Sequence, residues 1–192
     1  MTFRILLCAA SAAALAACST MRDPSVGPEA DAARMADAGR MPGAAAMTPT
    51  DAMGFAAMAG ASDLYEIQSS QIALQKSQNA DVRRMAQMMI DHHTQTTQTL
   101  TAAAQAAGMT PPPPQLMPMQ QQMIAQLQAA DGMAFDRLYV TQQVQAHQMA
   151  LNLHGNYAQR GDTPQLRTAA QSAVPIVTGH LQEFQRMQGM MR

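Results

Sequence analysis

The chain has 192 residues with 47 % hydrophobic content, enough for one domain with a core and a tail. Only 13 % of residues are charged and the formal net charge is −1, so the basic surface that phosphate-backbone binding needs is missing and nucleic acid is not an expected partner. Nineteen Met, no Trp and 4 % aromatics favour helix over strand, and two cysteines, Cys8 and Cys18, exclude both a disulfide framework and a thiolate metal site in the rest of the chain.

Residues 1–17 carry one early charge, Arg4, and an apolar run from Ile5 to Ala17. That run is too short to span a bilayer and reads as a signal peptide. Its end, Leu15-Ala16-Ala17-Cys18, resembles the bacterial lipobox, in which the cysteine is acylated and becomes the new N-terminus. The resemblance implies lipidation at Cys18, a membrane partner through that anchor, and a bacterial envelope location. Without Asp at position 19, it implies the outer membrane, with the protein facing the periplasm. Residues 18–48 mix Ala, Gly, Pro and Asp without helical period and read as a flexible tether, with Met21, Met35, Met41 and Met47 following the general Met bias.

From residue 49 to 192 the pattern predicts one helical domain. A first helix, about 51–77, has Phe55, Met58, Tyr65 and Ile72 in line. Asp81 is the expected N-cap of a second, which carries Val82, Met85, Met89, Leu100 and Ala104 and stops at Gly108. Pro111 to Pro114 makes an extended connector, followed by a short helix at about 119–130. A third long helix, 133–160, has Val140, Val144, Leu151 and Ala158 in line, and a fourth, 165–190, has Leu166, Ala173, Val177, Phe184 and Met191, with a kink expected at Pro175. The expected fold is all-α: a four-helix bundle with a short extra helix in the crossing between helices two and three.

The informative residues are titratable groups on apolar stripes. Glu66 lies inward on the first helix, His92 is in phase with Met85 and Met89, His147 with Val140 and Val144, and His180 falls between Val177 and Phe184. Neighbouring side chains of a helix point about 100° apart, so His93 is expected at a helix seam or in solvent. His154 sits two turns, about 10.5 Å, from His147 and belongs to another layer. Glu183 is one turn from His180 and is placed to chelate with it. Buried ionisable groups are paired, protonated or metal-bound, which leaves two readings. One is a hydrogen-bonded network across the bundle with Asp91, Tyr139 or Tyr157. The other is a transition-metal site made of Glu66, Asp91, His92, His147 and His180, with His93, Tyr139, His154 and Glu183 as secondary candidates.

Several motifs together, D-A-M-G-F at Asp51 to Phe55, Glu66, M-M-I-D-H at Met88 to His92, G-M-A-F-D at Gly132 to Asp136 with Tyr139, Q-V-Q-A-H at Gln143 to His147, and V-P-I at Val174 to Ile176 before His180-Leu181, resemble the domain-of-unknown-function 4142 family. The resemblance covers about 49–185. It implies a ferritin-like four-helix bundle of a kind common in bacterial envelope proteins, with Glu66, Asp91, His92, His147 and His180 at the family's polar positions. The M-I-D-H-H run at Met89 to His93 is also similar to a related ferritin-like family linked to copper handling. The chain has no E-x-x-H, so a standard di-iron site is not expected. No cysteine nucleophile, glycine-rich phosphate loop or G-x-S-x-G elbow marks residues 49–192, so no catalytic residue is assigned. The leading expectation is a lipid-anchored envelope protein with a non-enzymatic binding or stress-related role. The alternative is a copper, iron or zinc binder, and no feature names a protein partner.

Overall fold

The computed structural model describes residues 48–191, so the signal peptide, Cys18 and the tether lie outside the described residues apart from Thr48. Five helices and no strands are present among them: α1 (Ala52–Lys76), α2 (Ala80–Ala106), α3 (Pro118–Ala129), α4 (Gly132–Arg160) and α5 (Pro164–Met190). The helix ends follow from local chemistry. Asp51 caps α1 by accepting the amide of Gly54 at 2.7 Å. Asn79, rather than Asp81, caps α2, accepting the amides of Asp81 and Val82 at 2.9 and 3.2 Å; Asp81 lies in the first turn, where its charge meets the positive end of the helix dipole. Beyond α2, Gly108 takes φ 72°, the left-handed conformation that a glycine adopts at least cost.

The four long helices close a cycle, α1 against α2 and α4, α5 against α2 and α4. The proline connector runs over α1, where Pro114 lies so near Gly60 that a Cβ there would come within 3.1 Å of it. This close approach lets α3 settle against α1 and α4, where Tyr65, Met123 and Ile124 form a small apolar cluster. Lys76, in the last turn of α1, binds the Gln128 carbonyl at 2.6 Å and Asp131 at 3.0 Å and so ties α1 to the α3–α4 junction. α5 runs without a break through Pro175.

Two larger apolar clusters flank the middle of the bundle. One gathers Val82, Met85, Met89, Phe135, Tyr139, Phe184 and Met187; the other gathers Phe55, Ala59, Ala104, Leu153, Tyr157, Leu166 and Ala170. In α4 the buried line is Phe135, Tyr139, Gln143, His147, Ala150, His154 and Tyr157, while Leu151 and Ala158 are only half-buried. The expected stripe holds at Val140, which is 1 % exposed, and drifts outward at Leu151 and Ala158, where Leu153, His154 and Tyr157 take the buried positions. No described helix is long and apolar enough to cross a membrane.

Candidate metal centre

Between the two apolar clusters, every long helix turns polar side chains inward. α1 brings Asp63 and Glu66, α2 brings His93, α4 brings Gln143 and His147, and α5 brings His180, all buried. Ring nitrogens of His93, His147 and His180 lie within 4.8 Å of one another, with the rings 3 %, 0 % and 4 % exposed. Three nitrogens bound to one ion at about 2.0–2.1 Å stand roughly 3.5 Å apart, so the triad needs only a small contraction to close on a cation.

The hydrogen bonds fix which nitrogens are bare. His93 Nδ1 donates to Asp63 Oδ1 at 2.8 Å, which leaves Nε2 as the lone-pair nitrogen, and Nε2 has no hydrogen-bond partner. His147 Nδ1 donates to the Gln143 carbonyl at 2.9 Å, so its Nε2 is also a lone-pair nitrogen, which accepts from His180 Nδ1 at 3.3 Å. His180 Nδ1 therefore carries its ring's proton, and His180 Nε2 accepts from His92 Nδ1 at 2.8 Å. The result is a directed chain, His92 to His180 to His147, beside a separately oriented His93. Carboxylates behind imidazoles orient metal-binding histidines in this way and raise their basicity.

Charge in the layer favours a cation. Asp63 receives His93 and the hydroxyls of Thr96 and Thr97, at 2.9 and 3.1 Å. Burial lowers the affinity of His93 for a proton, but the Asp63 hydrogen bond and the nearby Glu66 outweigh it, and the net pKa is raised. A site that attracts a proton to Nε2 attracts a metal cation there for the same reason. Burial pushes Glu66 up to about 7, against the opposing pull of His93 and Gln143. Both Glu66 oxygens lack a hydrogen-bond partner, and Oε1 stands 3.7 Å from His147 Nδ1, which makes Glu66 a counter-charge next to the triad. Burial and the neighbouring rings hold His147 well below the usual imidazole range and His180 down to about 3, so both stay neutral and able to ligate.

The placement of the sequence candidates is mixed. Glu66, His147 and His180 enter the layer. His92 and His93 exchange places: the four-residue steps from Met85 to Met89 to His93 follow the buried line, so His93 points inward and half-buried His92 covers His180 from outside. Asp91 is exposed and takes a hydrogen bond from Gln87, away from the layer. Glu183 faces Arg186 and Arg84 instead of chelating with His180, and the Arg186 guanidinium lowers its pKa. Tyr139 pairs with Ser70 at 2.9 Å in the adjoining apolar cluster, and Tyr157 binds Asp162 at the far end of α4. His154 packs edge-on against Phe55, outside the triad. Asp63 is the residue that sequence reasoning missed; its signals were the one-turn D-x-x-E spacing to Glu66 and the Thr96-Thr97 pair.

The chain matches the family described as Domain of unknown function (DUF4142) over residues 36–187 and belongs to that family. Among solved structures it is similar to CopM in the Cu(II)-bound form, with a TM-score of 0.64 and 18 % identity over 74 % of this chain and 98 % of that one. CopM in the Cu(I)-bound form and in the Ag-bound form align with TM-scores of 0.60 and 0.59, each at 18 % identity over 71 % of this chain and 94 % of the other. At that identity the likeness concerns the fold. No curated protein matches the chain.

Proposed function

We propose that this protein is a transition-metal binder whose ligands are His93, His147 and His180, built into a bundle of the ferritin-like class. The carrying observation is the convergence of three buried imidazoles, two of which present lone-pair Nε2 atoms fixed by Asp63 and by the Gln143 carbonyl. Three imidazole nitrogens suit copper or zinc, and the absence of E-x-x-H disfavours a di-iron site. The structural neighbour CopM is described with Cu(II), Cu(I) and Ag bound, which makes copper the first ion to test. The lipobox-like Cys18 supports attachment of this binder to the cell envelope, in a non-enzymatic role of holding or delivering the ion. Calorimetric titration of the purified protein with Cu(I), Cu(II) and Zn(II) tests the reading. One tight equivalent of at least one ion is expected, lost in His147→Leu and His93→Leu; absence of stoichiometric binding by all three overturns it. Acyl labelling of the wild-type chain but not of Cys18→Ala is expected for the anchor.

A further inference from the structure

The triad is closed on most sides by packed helix, yet His180 also lines a surface groove of about 370 Å³ between α2 and α5. Met85, Met88, His92, Pro175 and Gly179 line the same groove. Its walls therefore combine two imidazoles with thioethers, a donor set that selects soft monovalent cations such as Cu(I). Gly179 keeps the floor open, since a Cβ there would meet nothing within 4 Å. At the rim Arg84 is paired with Glu183 at 3.8 Å, which offsets its repulsion of an approaching cation.

Resting on the triad reading, we infer that Met88, His92 and His180 Nε2 form an outer station for a soft monovalent cation, from which the ion passes inward through His180. The hydrogen-bond direction sets the order. His180 Nε2, on the His92 side, is a lone-pair nitrogen that accepts from His92 Nδ1, whereas His180 Nδ1, facing the triad, carries the proton. The outer station needs one change: the proton on His92 Nδ1 is given up to solvent as His92 Nε2 takes one, so that both facing nitrogens ligate. Transfer inward needs a tautomer exchange at His180: its Nδ1 proton leaves to solvent by way of the groove while Nε2 takes one from solvent and then donates to His92 Nδ1, so that His147 Nε2 keeps its lone pair. Each ring stays neutral and no proton is lost overall. One neutral ring has one lone-pair nitrogen, so His180 serves the two stations alternately.

The test measures Cu(I) transfer from a coloured Cu(I)–chelator complex to the full chain under anaerobic conditions, giving both the second-order rate and the equilibrium constant. Met88→Leu removes a thioether at similar volume, His92→Leu removes the outer imidazole, and Gly179→Leu fills the groove while leaving every donor in place. Met88→Leu and Gly179→Leu are expected to slow transfer about tenfold while the equilibrium constant stays within about twofold of wild type; His92→Leu is expected to slow it as much and also to lower the constant, because His180 Nε2 loses its partner. Ala169→Leu, in the wall of a separate cavity lined by Asp63 and His154, is expected to leave the rate unchanged. Unchanged rates in Met88→Leu and His92→Leu overturn the outer station, as does an affinity loss equal to the rate loss in Met88→Leu. No Cu(I) uptake by wild type overturns the triad reading itself, a result distinct from either.

Discussion

The two ends of the bundle and its middle are built on opposite terms. At the ends, Phe135, Phe184 and Met187 on one side and Phe55, Tyr157 and Leu166 on the other are buried among apolar neighbours. Between them sit Glu66, with no hydrogen-bond partner on either oxygen, and His93, with none on Nε2. Burying such groups costs stability, whereas each buried Phe or Leu contributes about 1.5–3 kcal/mol. The ends hold the four helices in register, and that register carries the less favourable middle.

This contrast is broken most forcefully at an end. Phe135 is fully buried, stacks on Tyr139 and lies beneath the Lys76 ammonium, 5.8 Å from its centroid. Phe135→Ala is expected to cost about 3–5 kcal/mol in denaturant unfolding. The metal affinity of the remaining folded protein should match wild type, because no triad residue touches the cavity; a parallel loss of both would mean that the ends and the middle are not separable.

Acid probes the border between the middle and the Phe55 end. Burial holds His154 down to about 4, against an ordinary value near 6.5. A base whose pKa is lowered by folding binds its proton more readily in the unfolded chain, so its contribution is intact above about 6.5 and is lost as the pH falls towards about 4. His147 and His180 are depressed in the same direction. His154 alone accounts for a loss on the order of 3 kcal/mol across that window. Since His154 Nδ1 has no hydrogen-bond partner, His154→Leu is expected to flatten this limb of the stability curve without a penalty at neutral pH. An unchanged acid limb would place the sensitivity elsewhere in the layer.

Asp63 sharpens the comparison, since it acts on the site through another residue. Asp63→Asn keeps the shape and an acceptor for His93 Nδ1 but removes the negative charge behind the ring. The loss of an orienting carboxylate of this type typically costs 10- to 100-fold in metal affinity, about 1.4–2.7 kcal/mol. Calorimetry reads this directly, and an affinity equal to wild type would show that Asp63 serves only to join α1 to α2.

The helices were legible in the sequence because Pro111 to Pro114, Gly108 and Gly161 interrupt long 3.6-residue patterns. Glu66, His147 and His180 were legible because each is an isolated polar group in an apolar line. The choice between His92 and His93 was not. Residues three and four positions after Met89 both lie near its face, and the partners across the bundle, Asp63 on α1 for His93 and His180 on α5 for His92, decide which one turns fully inward. Asp63 was hidden for a related reason: small and polar among Ala, Ser and Gly, it breaks no strong stripe, and its importance comes from three donors on α2. Asp91 was over-read because it adjoins the histidine pair in sequence.

Asp91 provides the smallest effect and the cleanest separation of sequence proximity from spatial proximity. Its neighbour His92 covers His180, yet the Asp91 side chain points to solvent, one helical turn from its hydrogen-bond partner Gln87. An exposed carboxylate at that distance from the triad is screened by water and salt, so it adds little to the field that the buried Asp63 and Glu66 impose. Asp91→Asn is therefore expected to shift stability by no more than about 0.5 kcal/mol and to leave metal affinity unchanged. A loss as large as that of Asp63→Asn would mean that the ion lies on the outer side of α2, and would transfer the site from His93 to His92.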